Sequence, residues 1–212
     1  MSFISIPRTK GRKRRADRLD SIMRLHNRVL VIDVETTGFD PAVNACIDLG
    51  AVLLDESLNV VQEFSSLIAP WTGAQVKDEA MKVNRIAWEE MASAPHVEEV
   101  INRFNATFSL KGTPPLIAGW NVWFDVSFLR ELYNRAQQSW PFSYRLLDVQ
   151  SVISFHTWMT GISQEQAIEK FLNEQQQHRA FADASHTARL LQLVAHRYLS
   201  DSESTPLTTD GP

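Results

Sequence analysis

A single cysteine among 212 residues excludes an internal disulfide. Cys46 lies in the apolar run Ala45-Cys46-Ile47 and reads as a buried thiol in a reducing cytosol, so the chain is expected to be cytoplasmic. No apolar run approaches the roughly 18 residues of a membrane span, which leaves no expectation of a membrane partner. The first turns of the chain also lack the apolar stretch of a secretory signal. No internal repeat and no mid-chain boundary is visible, and the length suits one sizeable core. With 44% hydrophobic and 22% charged residues, the composition is that of an ordinary globular domain.

Charge is present but unevenly spread. The net charge is −4, yet nine of the 21 basic residues (Arg8, Lys10, Arg12, Lys13, Arg14, Arg15, Arg18, Arg24, Arg28) fall between Arg8 and Arg28 against two acids, Asp17 and Asp20. The remainder carries 12 basic and 23 acidic residues, a net of −11. A basic arm could grip a phosphate backbone while an acidic body gathers carboxylates for metal; the alternative is a solvated tail. The acidic body argues against broad electrostatic binding of duplex nucleic acid.

The pattern divides the chain into a basic extension over 1–27, a domain over 28–199 and a polar tail over 200–212. Within the extension, Leu19, Ile22, Met23 and Leu25 have the spacing of a short amphipathic helix. Arg28–Val34 reads as a buried strand ending at Thr36-Thr37-Gly38, with a glycine free to take unusual dihedrals. Cys46–Leu54 and Val60–Ile68 read as a strand pair around the polar turn Asp55–Asn59. Helices are expected over Gln75–Ile86, His96–Phe108, Trp123–Ala136, Ser163–Asn173 and Phe181–Leu199, with short strands over Pro114–Ala118 and Tyr144–Val149. The order implies a mixed five-stranded α/β sheet flanked by helices.

Four acids and a histidine carry the chemistry. Asp33 and Glu35 are two residues apart at a strand end, so both project to one face. Oxygen ligands of this kind suit Mg²⁺ or Mn²⁺ better than zinc. Alone, such a pair is also common strand-end decoration. Asp125 lies among Trp123, Phe124, Val126 and Phe128, where an unpaired carboxylate would be destabilising. Asp183 opens the last helix, where it either binds a cation or complements the helix dipole. Phosphodiester chemistry with metal ions needs carboxylates gathered from separate elements, and these four can supply them.

Three segments resemble the DEDDh 3′→5′ exonucleases, a family that includes the proofreading domain of bacterial replicative polymerases and ribonuclease T. They are Leu30-Val31-Ile32-Asp33-Val34-Glu35-Thr36-Thr37-Gly38-Phe39-Asp40-Pro41, Asn121-Val122-Trp123-Phe124-Asp125-Val126-Ser127-Phe128-Leu129, and His178-Arg179-Ala180-Phe181-Ala182-Asp183-Ala184-Ser185-His186-Thr187-Ala188. Ile47-Asp48-Leu49-Gly50-Ala51-Val52 resembles the family's second strand. The resemblance spans about Val29 to Leu193 and implies the ribonuclease H-like fold. It further implies two divalent ions, Mg²⁺ or Mn²⁺, on Asp33, Glu35, Asp125 and Asp183, with Glu35 counted among the catalytic groups. His178 takes the role of base in this resemblance, because imidazole exchanges a proton readily near neutral pH. His186, three residues after Asp183, is expected on the helix surface or in packing. Thr36, Thr37, Gly38, Phe39, Asn121 and Trp123 are the expected substrate contacts; for Phe39, Trp120, Trp123 and Phe124 the alternative to base stacking is core packing. The implied activity is removal of nucleoside 5′-monophosphates from the 3′ end of single-stranded DNA, with a DNA polymerase as a candidate partner. The rivals are an exoribonuclease on short RNA and a catalytically idle binding module. One departure is visible. Val83-Asn84-Arg85-Ile86 stands where family members often have His-Gly-Ile or Asn-Gly-Ile, so substrate contacts there are expected to differ.

Overall fold

A computed structural model describes residues 28–204 apart from 111–112, 162, 164–165 and 167–177. The basic arm, its amphipathic segment and the helix expected over Ser163–Asn173 lie outside the described residues, the last almost entirely.

Five strands form one sheet in the order β3-β2-β1-β4-β5. They are β1 (Val29–Thr36), β2 (Cys46–Leu54), β3 (Val60–Leu67), β4 (Leu116–Gly119) and β5 (Leu146–Asp148). β2 runs antiparallel to both β1 and β3, whereas β4 and β5 run parallel to β1. This is the mixed sheet expected. The carboxyl ends of β1, β4 and β5 therefore share one edge, the place where open α/β sheets bind ligands.

The alternation of β1 explains the site. Leu30, Ile32 and Val34 belong to a core shared with α3 (Val97–Phe108) and α4 (Val122–Arg135). Val29 and Val31 join the opposite core with α5 (Val149–Thr160) and α6 (Ala180–Ser204). Continuing that second face two residues at a time reaches Asp33 and Glu35. The face changes from apolar to acidic where the strand emerges beside α6.

Several boundaries differ from the sequence expectation for identifiable reasons. The expected Gln75–Ile86 helix is α1 (Asp78–Asn84), stopped when Arg85 turns left-handed at φ 55°, followed by the short α2 (Trp88–Ala92). The expected Tyr144–Val149 strand narrows to β5, because Asp148 accepts the Ser151 N–H at 3.1 Å and starts α5. α5 was not expected, since Val149, Val152, Ile153 and Thr157 are β-branched residues of low helix propensity. The last helix runs to Ser204, into the segment expected as a polar tail.

Candidate active site

Asp33 and Glu35 leave the end of β1 half-buried on the α6 side of the sheet. Asp125 comes from the first turn of α4, is 3% exposed, and its Oδ1 accepts the Val34 N–H at 3.1 Å. That bond ties the acid from one side of the sheet to the strand bearing the other two. Asp183, 4% exposed, sits in the first turn of α6. His178 lies just before α6 in a left-handed conformation, φ 53°. Donor atoms of Glu35, His178 and Asp183 all fall within 4.8 Å of one another, near enough to share a metal ion. Elements far apart in sequence thus bring Glu35, Asp183 and His178 into ligand range at one sheet edge, while Asp33 and Asp125 stand near enough for their charges to interact but fall outside that set.

The electrostatics are those of a site with excess negative charge. Burial raises Asp33 well above the usual carboxylate range, and Asp125, Asp183, Glu35 and Asp48 push it further up. Glu35 is lifted from 4.5 to about 7, first by burial, then by Asp183 and Asp48, with Arg179 pulling the other way. Asp125 is also raised by burial, opposed by its bond from Val34. A cluster of buried carboxylates that resist ionisation together is the donor set that hard divalent cations satisfy, since each cation offsets two negative charges.

Two residues that sequence reading did not assign complete the site. Asp48 of β2, 2% exposed, stands opposite Glu35 in the strand pairing. Its Oδ2 accepts the Ala180 N–H and the Arg179 Nε–H, both at 3.3 Å. Gly50 stands opposite Asp33, and a Cβ there would lie 2.2 Å from the main chain of Ala180 and Phe181. Its bare backbone is what lets α6 begin against the sheet. The signal was available: a glycine inside an otherwise apolar strand marks close backbone approach.

The expected substrate contacts separate on geometry. Phe39 is 82% and Trp123 67% exposed at the rim, and Asn121 is exposed and left-handed at the start of α4. The Val122 N–H is taken by Asp148 Oδ1 at 3.2 Å, and the Asn121 side chain makes no capping bond. Trp120 and Phe124 are partly buried against the two cores. Thr37 is fully buried, its hydroxyl donating to Gln75 O at 2.7 Å and accepting from Ala45 N–H at 2.8 Å. Thr36 donates its hydroxyl to Gly38 O at 2.6 Å. Gly38, expected from sequence to take an unusual dihedral, does not have a positive φ; what requires a glycine is space, since a Cβ there would sit 2.5 Å from the Asn44 side chain. A cavity of about 220 Å³ opens beside Glu35, between Thr36, Gly38 and Phe39 on one side and Ala80, Val83, Asn84 and Phe124 on the other. His186 lies on α6 with its Nε2 buried and without a hydrogen-bond partner among the described residues.

Known proteins share this architecture. The PolC-type DNA polymerase III of Thermotoga petrophila is 28% identical over 162 residues, covering 76% of this chain and 11% of that protein. The ribonuclease T of Wigglesworthia glossinidia brevipalpis is 26% identical over 182 residues, 80% of this chain and 85% of its own length. The chain thus spans about a tenth of the PolC-type relatives and most of the ribonuclease. Among solved structures, an E. coli ExoI–ssDNA complex superposes with a TM-score of 0.69 at 20% identity, over 84% of this chain and 42% of that one. The nuclease domain of 3′hExo, a DEDDh family member bound to rAMP, superposes at 0.62 and 20% identity, over 84% and 94%. These likenesses establish the ribonuclease H-like exonuclease fold. Residues 30–191 match the RNase_T exonuclease family, and this chain belongs to that family of metal-dependent nucleases.

Proposed function

We propose that this chain shortens single-stranded DNA from its 3′ end, releasing nucleoside 5′-monophosphates. The observation that supports it most is the grouping of Glu35, Asp183 and His178, with Asp33 and Asp125 adjoining, next to a cavity that Glu35 lines. Asp33, Glu35, Asp125 and Asp183 would hold two divalent cations, Mg²⁺ or Mn²⁺, whose Lewis acidity makes water a ready nucleophile and offsets phosphate charge. His178 accepts the proton that the attacking water gives up. The water oxygen bonds to phosphorus, the bond from phosphorus to the 3′ oxygen of the preceding nucleotide breaks, and the 5′-monophosphate leaves. The cavity beside Glu35 receives the terminal nucleoside, with Phe39 closing one wall. Trp123 offers an exposed face on which the next base stacks, and Asn121 offers its amide at the same rim. Thr36 and Gly38 line the cavity, whereas Thr37 supports it from beneath through its bonds to Gln75 and Ala45.

The near full-length match to a ribonuclease T favours RNA as the second reading. The two differ in outcome on matched oligonucleotides. Incubation with Mn²⁺ should shorten a 5′-labelled single-stranded DNA into a ladder of progressively smaller labelled products, faster than the RNA of the same sequence. A faster rate on RNA overturns the DNA assignment and leaves the chemistry standing. The relatives named PolC-type polymerase and polymerase subunit epsilon support a DNA polymerase as partner. The cytoplasmic reading rests on the free, buried thiol of Cys46, and no helix of the described residues is long and apolar enough to cross a membrane.

A further inference from the structure

We propose that Asp48 and Arg179 form a latch that positions His178 for catalysis, an inference that rests on the exonuclease reading above. His178 sits in a left-handed conformation, φ 53°, which is unfavourable for a residue with a Cβ, so its surroundings must hold it there. The next two residues supply the hold. The Ala180 N–H and the Arg179 Nε–H converge on one oxygen of Asp48, a carboxylate almost wholly out of solvent. Arg179 also reaches Glu90 on α2, with its Nη1 3.9 Å away. Asp48 is itself fixed by its pairing with Glu35 across β1 and β2. The same strand pair therefore carries both an acid of the proposed metal site and the anchor of the proposed base. Gly50, one turn of the pleat further along β2, lets the Ala180–Phe181 main chain close onto the sheet. A buried carboxylate deprived of its partners is strongly unfavourable, which keeps the latch shut.

Asp48 and Arg179 are thus positioning residues that act through His178. The test compares Asp48→Asn and Arg179→Gln, each alone and combined with His178→Ala, in Mn²⁺-dependent cleavage of a labelled single-stranded oligonucleotide. Asparagine keeps an acceptor for Ala180, and Arg179 is 47% exposed, so at least the second variant is expected to fold. In the wild-type background each substitution should lower kcat by about 10- to 100-fold, the range seen when groups supporting a catalytic ligand are lost, with KM unchanged at saturating Mn²⁺. In the His178→Ala background neither should lower the residual rate further. A full additional loss in that background or an unchanged kcat overturns the latch. The ring-proton resonances of His178 give a readout independent of turnover. Both variants should move them while those of His96, at the start of α3 on the opposite face of the sheet from α6, stay in place, and unmoved His178 signals overturn the latch. A wild-type protein that cleaves neither DNA nor RNA defeats the exonuclease reading instead, and the resonances still decide whether the latch exists.

Discussion

Removing one negative charge from the site should make the metal-free protein more stable. Glu35 is held at about 7 against an ordinary 4.5, chiefly by burial and by Asp183 and Asp48. A folded-state value above the unfolded one means that the folded protein binds the proton more tightly. Stability from this group is fully present below about pH 4.5 and is lost as pH rises through about 7. At roughly 1.4 kcal/mol per pH unit the cost of ionised Glu35 at pH 8 is bounded at about 3 kcal/mol, and partial solvent access trims it to about 2. Glu35→Gln removes that cost and keeps the shape, and Glu35 makes no hydrogen bond with the described residues that the change would break. Thermal unfolding followed by circular dichroism in EDTA at pH 8 should show a melting temperature raised by about 4–8 °C for a chain of this size. At pH 4.5 the gain should disappear, because wild-type Glu35 is then largely protonated. Mn²⁺ at pH 8 should raise the wild type and leave the variant behind, since a bound cation stabilises only the protein that can hold it. A variant less stable than wild type at pH 8 in EDTA would falsify the claim that the carboxylates repel one another.

Three further outcomes follow from particular contacts. Gly50→Ala should cost about 3 kcal/mol or more and abolish cleavage, because the added methyl meets main chain that cannot yield; a wild-type melting curve would show that α6 does not lie against β2 as described. Arg85→Gly should raise the melting temperature by about 1–4 °C, since it relieves a left-handed arginine at the end of α1, and a lowered melting temperature would count against that backbone assignment. Trp123→Ala should leave stability within about 0.5 kcal/mol, as the ring is 67% exposed, yet raise KM for oligonucleotides by about 5- to 100-fold through lost stacking; an unchanged KM removes Trp123 from the substrate path.

The acids of the site were legible because their neighbours made them conspicuous. Asp33 and Glu35 continue an alternation begun by Val29 and Val31, and Asp125 stands between aromatic core residues. Their convergence was not legible from periodicity, since it depends on the Val34–Asp125 bond and on where α6 begins. Asp48 escaped notice for a related reason. In a strand buried on both faces, a lone acid carries no period, and only its partners Arg179 and Ala180, more than 130 residues away, give it a role. Gly38 shows the opposite failure: the residue was singled out correctly, but crowding by Asn44 and not a dihedral requires it. The departure at Arg85 becomes intelligible with the backbone in view, because the position is a left-handed helix end where glycine costs least.

Asp33, Glu35, Asp125 and Asp183 are proposed to act together as a metal-dependent 3′→5′ exonuclease site. The most direct measurement follows a 5′-labelled single-stranded oligonucleotide with Mg²⁺ or Mn²⁺, with EDTA, and with an Asp33→Ala variant shown to be folded. Shortening should proceed stepwise from the 3′ end, need the metal, yield nucleoside 5′-monophosphates and vanish in the variant. Shortening that persists in EDTA or in folded Asp33→Ala, or no cleavage of either DNA or RNA by the wild type, would contradict that proposal.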